Sequence, residues 1–152
     1  MLYKKILCII LTLYFFQYKL LGAEYKSIKQ VTKKAYLRAG PGKWYPVKWI
    51  LKIPGLPIKI LNDNGDYNFV EVYDGTKGWV SKSLISKKKN VIVIEDTHLY
   101  SEKGIATAKI KKNVILVLIK CGYIDLIKEK CEVKNKVVRG FVYKEKIWGD
   151  TK

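Results

Sequence analysis

The side chains able to do chemistry are few and scattered. The chain has one histidine, His98, and three cysteines, Cys8, Cys121 and Cys131. A nucleophilic cysteine works with a neighbouring base, usually histidine, and that base is oriented by a third polar group. His98 precedes both later cysteines, and no recognisable motif supplies the third member. A zinc site asks for about four His, Cys or carboxylate ligands, and this inventory leaves little material for one. On the strand-like run Thr97–Tyr100, His98 reads as a structural histidine. Gly40-Pro41-Gly42 is rich in glycine, but no helix pattern follows it, and a phosphate cradle needs a helix N-terminus. That stretch reads as a turn, with two glycines free to take positive φ around a proline held near about −65°. No catalytic residue, metal or cofactor is expected. The residues point to binding rather than to an enzyme.

Charge is the second signal. Thirty Lys+Arg stand against 13 Asp+Glu, giving a formal net charge of +17 over 152 residues. Such a balance suggests an acidic partner: nucleic acid, an anionic membrane or an anionic polymer. Residues 1–23 narrow that choice. Lys4 and Lys5 precede an apolar run, Ile6–Phe16, and Leu21-Gly22-Ala23 offers a cleavage point after Ala23. The apolar run spans about 16 Å as a helix, short of the roughly 30 Å of a bilayer core. It reads as a signal peptide, which makes the protein exported, periplasmic or secreted. Its removal takes Lys4, Lys5 and Lys19 and lowers the net charge from +17 to +14. Nucleic acid is then not an expected partner, and contact with an anionic membrane surface is at most peripheral. Apart from Arg38 and Arg139 the cations are lysines, which are poorer than arginine at bidentate phosphate recognition. Most read as solvent-facing residues that discourage edge-to-edge aggregation, although Lys87-Lys88-Lys89 and Lys111-Lys112 offer a patch for an anionic envelope polymer.

The elements that must position these residues are short strands. Ile58–Leu61, Phe69–Val72 and Gly78–Val80 are β-rich and separated by turn chemistry at Asn62–Asp66 and Asp74–Thr76. Pro41, Pro46, Pro54 and Pro57 exclude a long helix in the first half. The second half repeats the order. Thr97–Tyr100 stands where Ala35–Arg38 stood, Ile110–Leu118 matches Ile53–Leu61, Gly122-Tyr123 echoes the turn at Gly65–Tyr67, and Gly140-Phe141-Val142 echoes Gly78-Trp79-Val80. Extra length in the second copy is placed at Glu132–Lys136, and Ser86–Asn90 is the joint. Two all-β units of about 60 residues are small for independent stability and are expected to pack together or close into barrels.

Tyr36-Leu37-Arg38-Ala39-Gly40-Pro41-Gly42, Tyr45-Pro46-Val47 and the closing Gly78-Trp79-Val80 with Leu84 resemble the bacterial SH3-like (SH3b) domain. The resemblance covers residues 31–87, and a divergent second copy, 91–149, follows by position. It implies an all-β chain of two tandem SH3-like small barrels. It implies also a ligand groove between the folded-back loop and the next hairpin turn, mapped to Arg38, Trp44, Tyr45, Asp66, Tyr67 and Trp79. Leu84 stands where many SH3-like domains carry a groove tyrosine, so recognition of proline helices is not implied. Trp49, beside Ile50 and Leu51, reads as core, and Trp148 as the seal of the second barrel.

The surviving cysteines are a candidate disulfide in an oxidising compartment. The hairpin reading counts against it: a turn at Gly122 would put Cys121 at the tip and Cys131 roughly 25–30 Å away, where a disulfide needs Cα atoms within about 7 Å. The expected function is a non-enzymatic, exported binding module of the bacterial envelope that recognises cell-wall peptide or glycan. The alternative is a module that docks a peptide of another envelope protein.

Overall fold

The computed structural model describes residues 23–123 and 129–151. The leader reading of residues 1–23 therefore falls, all but Ala23, outside the described residues. The fold is all-β. The first half contains β1 (Glu24–Ile28), β2 (Ala35–Arg38), β3 (Val47–Leu51), β4 (Pro57–Asn64), β5 (Tyr67–Glu71), β6 (Lys77–Ser81) and β7 (Ile85–Ser86). The second contains β8 (Asn90–Val93), β9 (Thr97–Tyr100), β10 (Ala106–Ile110), β11 (Ile115–Tyr123), β12 (Glu129–Lys134), β13 (Arg139–Tyr143) and β14 (Ile147–Gly149). A single 3-10 turn, Lys82–Leu84 or Lys144–Lys146, precedes the last strand of each half.

Each half forms one seven-stranded antiparallel sheet. The orders are β3-β2-β6-β5-β4-β1-β7 and β10-β9-β13-β12-β11-β8-β14, the same path taken twice. The alternation of side chains explains the pairing. In β2 it buries Ala35 and Leu37, in β5 Asn68 and Val70, in β6 Gly78 and Val80. β9 and β13 repeat the patterns of β2 and β6 position for position. β4 serves two neighbours, β1 through Pro57–Ile60 and β5 through Lys59–Asn64, with a register shift between Ile60 and Asn62. β11 has a like shift between Leu118 and Lys120. Such bulges bend a strand and let one sheet curl over its own core.

The first core gathers Ile28, Leu37, Leu56, Ile58, Val70 and Val80, each at most 2% exposed. Burying a side chain of this kind contributes about 1.5–3 kcal/mol. Val91, Val93, Leu99, Leu116, Val133 and Val142 form the second core. The cores meet: Ile92 of β8 is buried in the first cluster, and Ile94, Ile115 and Trp148 pack against it. Trp148 therefore seals the joint rather than the second barrel, its ring lying edge-on to Tyr25 at 5.3 Å. Burial, helped by the Glu71 and Asp150 carboxylates, pushes the Tyr25 hydroxyl above its usual pKa. Hydrogen bonds add to the joint. The Ser27 hydroxyl donates to the Lys88 carbonyl, and the Asn90 side-chain amide donates to the Gly55 carbonyl at 2.7 Å.

The second hairpin differs from its sequence reading. β11 runs straight through Gly122, which pairs with Lys130, as Tyr123 does with Glu129, so the chain does not reverse at Gly122. Cys121 thus sits directly opposite Cys131, with Cα atoms 4.0 Å apart, and the two form a disulfide. Gly122 and Lys130 pair where Asn64 and Tyr67 pair in the first copy, so the added length lies between Gly122 and Lys130 in the sequence rather than at Glu132–Lys136. Lys130 also departs from the solvent-facing pattern of the lysines. It is buried in a central strand, its ammonium 5.0 Å from the Tyr143 ring centre and 5.6 Å from that of Tyr100.

Candidate functional site

The site is built on the segment that joins β2 to β3, residues 39–46. Its two ends are tied by the Ala39 amide donating to the Pro46 carbonyl. Arg38 closes it from inside. The guanidinium Nη1 donates to the carbonyls of Lys43, at 3.0 Å, and Tyr45, at 2.8 Å. A guanidinium offers several donors in fixed directions, so one side chain can hold two loop carbonyls.

The glycines of this loop work differently from the φ argument. Neither Gly40 nor Gly42 is among the positive-φ residues. A Cβ on Gly40 would lie 2.5 Å from the Tyr45 ring, and one on Gly42 2.6 Å from the Trp44 ring. Each glycine is the floor on which a ring lies. Trp44 and Tyr45 stand 5.9 Å apart, tilted by 36°, and Trp44 remains 81% exposed.

The opposite wall is the tip of the β4–β5 hairpin. Gly65, at φ 57°, lets the chain reverse between the paired residues Asn64 and Tyr67. The Lys82 amide donates to the Asp66 carbonyl at 2.9 Å, fixing the tip to the turn after β6. The Lys82 ammonium contacts Asp63 at 2.6 Å; both groups are exposed, so the pair is worth little in stability. Between the walls lies an open groove of about 570 Å³.

Of the six residues expected at a site, the structure puts Trp44, Asp66 and Tyr67 on this groove. Arg38 and Tyr45 shape the loop behind Trp44. Trp79 stays off the wall, half-buried against Phe69 at 5.3 Å on the outer face of β5 and β6. Lys43, Ser81 and Lys82 also line the groove. Sequence patterns do not single them out, although the polar run Ser81-Lys82-Ser83 directly after Gly-Trp-Val is the available signal. Trp49 is 57% exposed, contrary to its reading as core, because β3 is the outermost strand of its sheet.

The second half lacks this loop. Ser101 and Ile105 close a tight turn there, the Ser101 amide donating to the Ile105 carbonyl at 2.8 Å. Its own cavity, about 300 Å³, is flanked by Lys130, Phe141 and Glu132, and Glu132 is taken by Arg139 at 2.7 Å. Among the described residues no group of three or more His, Cys, Asp or Glu side chains could hold a metal ion. No helix there is long and apolar enough to cross a membrane.

Comparison with known proteins bears on the first half. Residues 31–87 match the family model for a bacterial SH3 domain. The solved structures of NlpC1 and NlpC2 from Trichomonas vaginalis align with 85% and 84% of this chain, at 11% and 12% identity and TM-scores of 0.37 and 0.36. The chain spans 46% and 48% of those proteins. The movement protein Hsp70h of Lettuce infectious yellows virus (isolate United States/92) is 28% identical over 124 residues, 76% of this chain and 22% of that protein. The chain thus spans less than half the length of each of these three proteins. The family match takes in the Arg38–Gly42 loop, the β4–β5 hairpin and the closing Gly78-Trp79-Val80, the parts that build and frame the groove. Residues 31–87 are thus the part of the chain that is similar to the bacterial SH3 domain family.

Proposed function

We propose that the chain is a non-enzymatic, exported binding module that holds cell-wall peptide or glycan in the groove between the 39–46 loop and the β4–β5 tip. The observation that carries this reading is the pairing of Trp44, 81% exposed, with Tyr67 across an open groove. Aromatic faces offer flat apolar area for a sugar ring or a peptide, and their polar edges supply hydrogen bonds. Asp66, Lys43 and Lys82 add groups of both signs at the rim, which suits a ligand carrying amide, hydroxyl or carboxylate groups. Arg38 and Tyr45 position the loop and do not need to touch the ligand. Trp79 supports the sheet behind it.

Co-sedimentation with purified cell wall tests the reading. The full chain should pellet with the wall at both 50 and 200 mM salt, since aromatic contact is not screened as exposed charge is. Trp44→Ala should weaken binding roughly tenfold, about 1.4 kcal/mol, with unchanged thermal unfolding. Binding that vanishes at 200 mM salt would identify simple electrostatic attachment. No binding of the wild type at low salt would sink the proposal.

A further inference from the structure

β3 pairs with β2 on one side, and among the described residues no strand lies on its other side. An edge of this kind presents unpaired backbone N–H and C=O groups, a template for a further strand. Its side chains are unusual for such a place. Val47, Trp49 and Ile50 are 41%, 57% and 47% exposed.

The second sheet provides an internal control. β10 occupies the same outermost place beside β9, and it reads Ala-Thr-Ala-Lys-Ile where β3 reads Val-Lys-Trp-Ile-Leu. The fold therefore completes this edge with alanine and threonine. It does not require a tryptophan there.

Charge says what would cover the edge. Residues 25–62 contain nine lysines and arginines and no aspartate or glutamate. Lys48 lies on β3, Lys52 follows it and Lys43 precedes it; Lys33 and Lys34 lead into β2. Among the described residues none of these five lysines has a salt bridge. A second copy would bring two such basic rows together. Residues 1–22 carry Lys4, Lys5 and Lys19 and no carboxylate. Like charges set directly across a strand pair destabilise it and opposite charges stabilise it, so both of those occupants are disfavoured.

We infer that the β3 edge is a docking site for an extended acidic segment of a partner protein, one that alternates carboxylate with β-branched residues. The partner's backbone bonds to the free edge of β3. Its apolar side chains cover Trp49 on one face, and its carboxylates lie on the other face beside Ile50, where they meet Lys48 and Lys52. This surface is separate from the groove, whose walls do not include Trp49, and the inference stands without the cell-wall reading.

Amide hydrogen exchange of the full chain, titrated with a capped synthetic peptide alternating glutamate and valine, tests it. The peptide should protect the β3 amides and leave β10 unchanged. Of two versions N-methylated at alternate residues in opposite phase, one should bind at least about tenfold more weakly, because it lacks the ladder donors. Lys48→Glu combined with Lys52→Glu should weaken the parent peptide by about tenfold or more, whereas Trp44→Ala should bind it normally. Absence of β3 protection overturns the inference. So does equal binding of both methylated peptides, or a free protein that dimerises and loses its dimer in Trp49→Lys.

Discussion

Gly40, Gly42 and Gly78 are each held to glycine by a different neighbour, and the neighbour decides what substitution does. At Gly42 the obstacle is the ring of Trp44, an exposed side chain that can move away. At Gly78 a Cβ would lie 2.9 Å from the Leu37 Cβ and 3.2 Å from the Arg38 carbonyl oxygen, inside the sheet and against the core. Gly42→Ala should therefore leave the unfolding midpoint nearly unchanged and weaken wall binding by displacing Trp44. Gly78→Ala should destabilise by about 1–3 kcal/mol through overpacking, read as a lowered denaturant midpoint at constant slope. Comparable losses from the two would contradict the structure. The role of Gly78 was legible in the sequence, since a glycine inside a strand marks close approach of a neighbouring backbone. That of Gly40 and Gly42 was not. A Gly-Pro-Gly run suggests positive φ, and nothing in linear order shows that the next two aromatic rings fold back over it.

At the scale of the element, the β11–β12 hairpin shows why register is harder to read than strand content. The strands were visible as apolar runs, but Gly122 offered a turn signal that β11 runs through. Pairing Gly122 with Lys130 rather than turning there changes every cross-strand partner and brings Cys121 opposite Cys131. Cys131 is fully buried among Val91, Leu99 and Val133, so the bond anchors the hairpin to the second core. Closing a loop of sequence separation 10 removes chain entropy from the unfolded state worth about 2.7 kcal/mol. The wild type should lose about that much stability when reductant is added to a chemical denaturation. Cys121→Ala with Cys131→Ala should start from the lower value and be insensitive to reductant. An unchanged wild type would show that the thiols are not bonded. Trp49 is a misreading of the same kind: an apolar run specifies a strand, while its place at the edge of the sheet follows from pairings distant in sequence.

For the whole molecule, the repeated order of landmarks made two similar halves legible, and the sheets follow one path twice. What sequence could not show is which core each apolar residue enters. Ile92 lies on a second-half strand yet is buried in the first-half cluster, and Trp148 reaches across to Tyr25. Units this small bury a modest fraction of their surface alone. A shared cluster therefore couples their unfolding, because opening either half exposes apolar area of the other. Circular dichroism and tryptophan fluorescence should report one coincident transition for the intact chain. Trp148→Ala removes the ring from the joint while leaving the hydrogen-bonded ladders of both sheets in place. It should lower stability by about 2–4 kcal/mol, somewhat less than a fully buried aromatic, because part of the ring remains in solvent. It should also weaken the coupling, so that the two probes separate, with the disulfide-bonded second half persisting to higher denaturant. A wild type that already melts in two steps, or a Trp148→Ala protein as stable as the parent, would show that the halves are joined only by the chain between them.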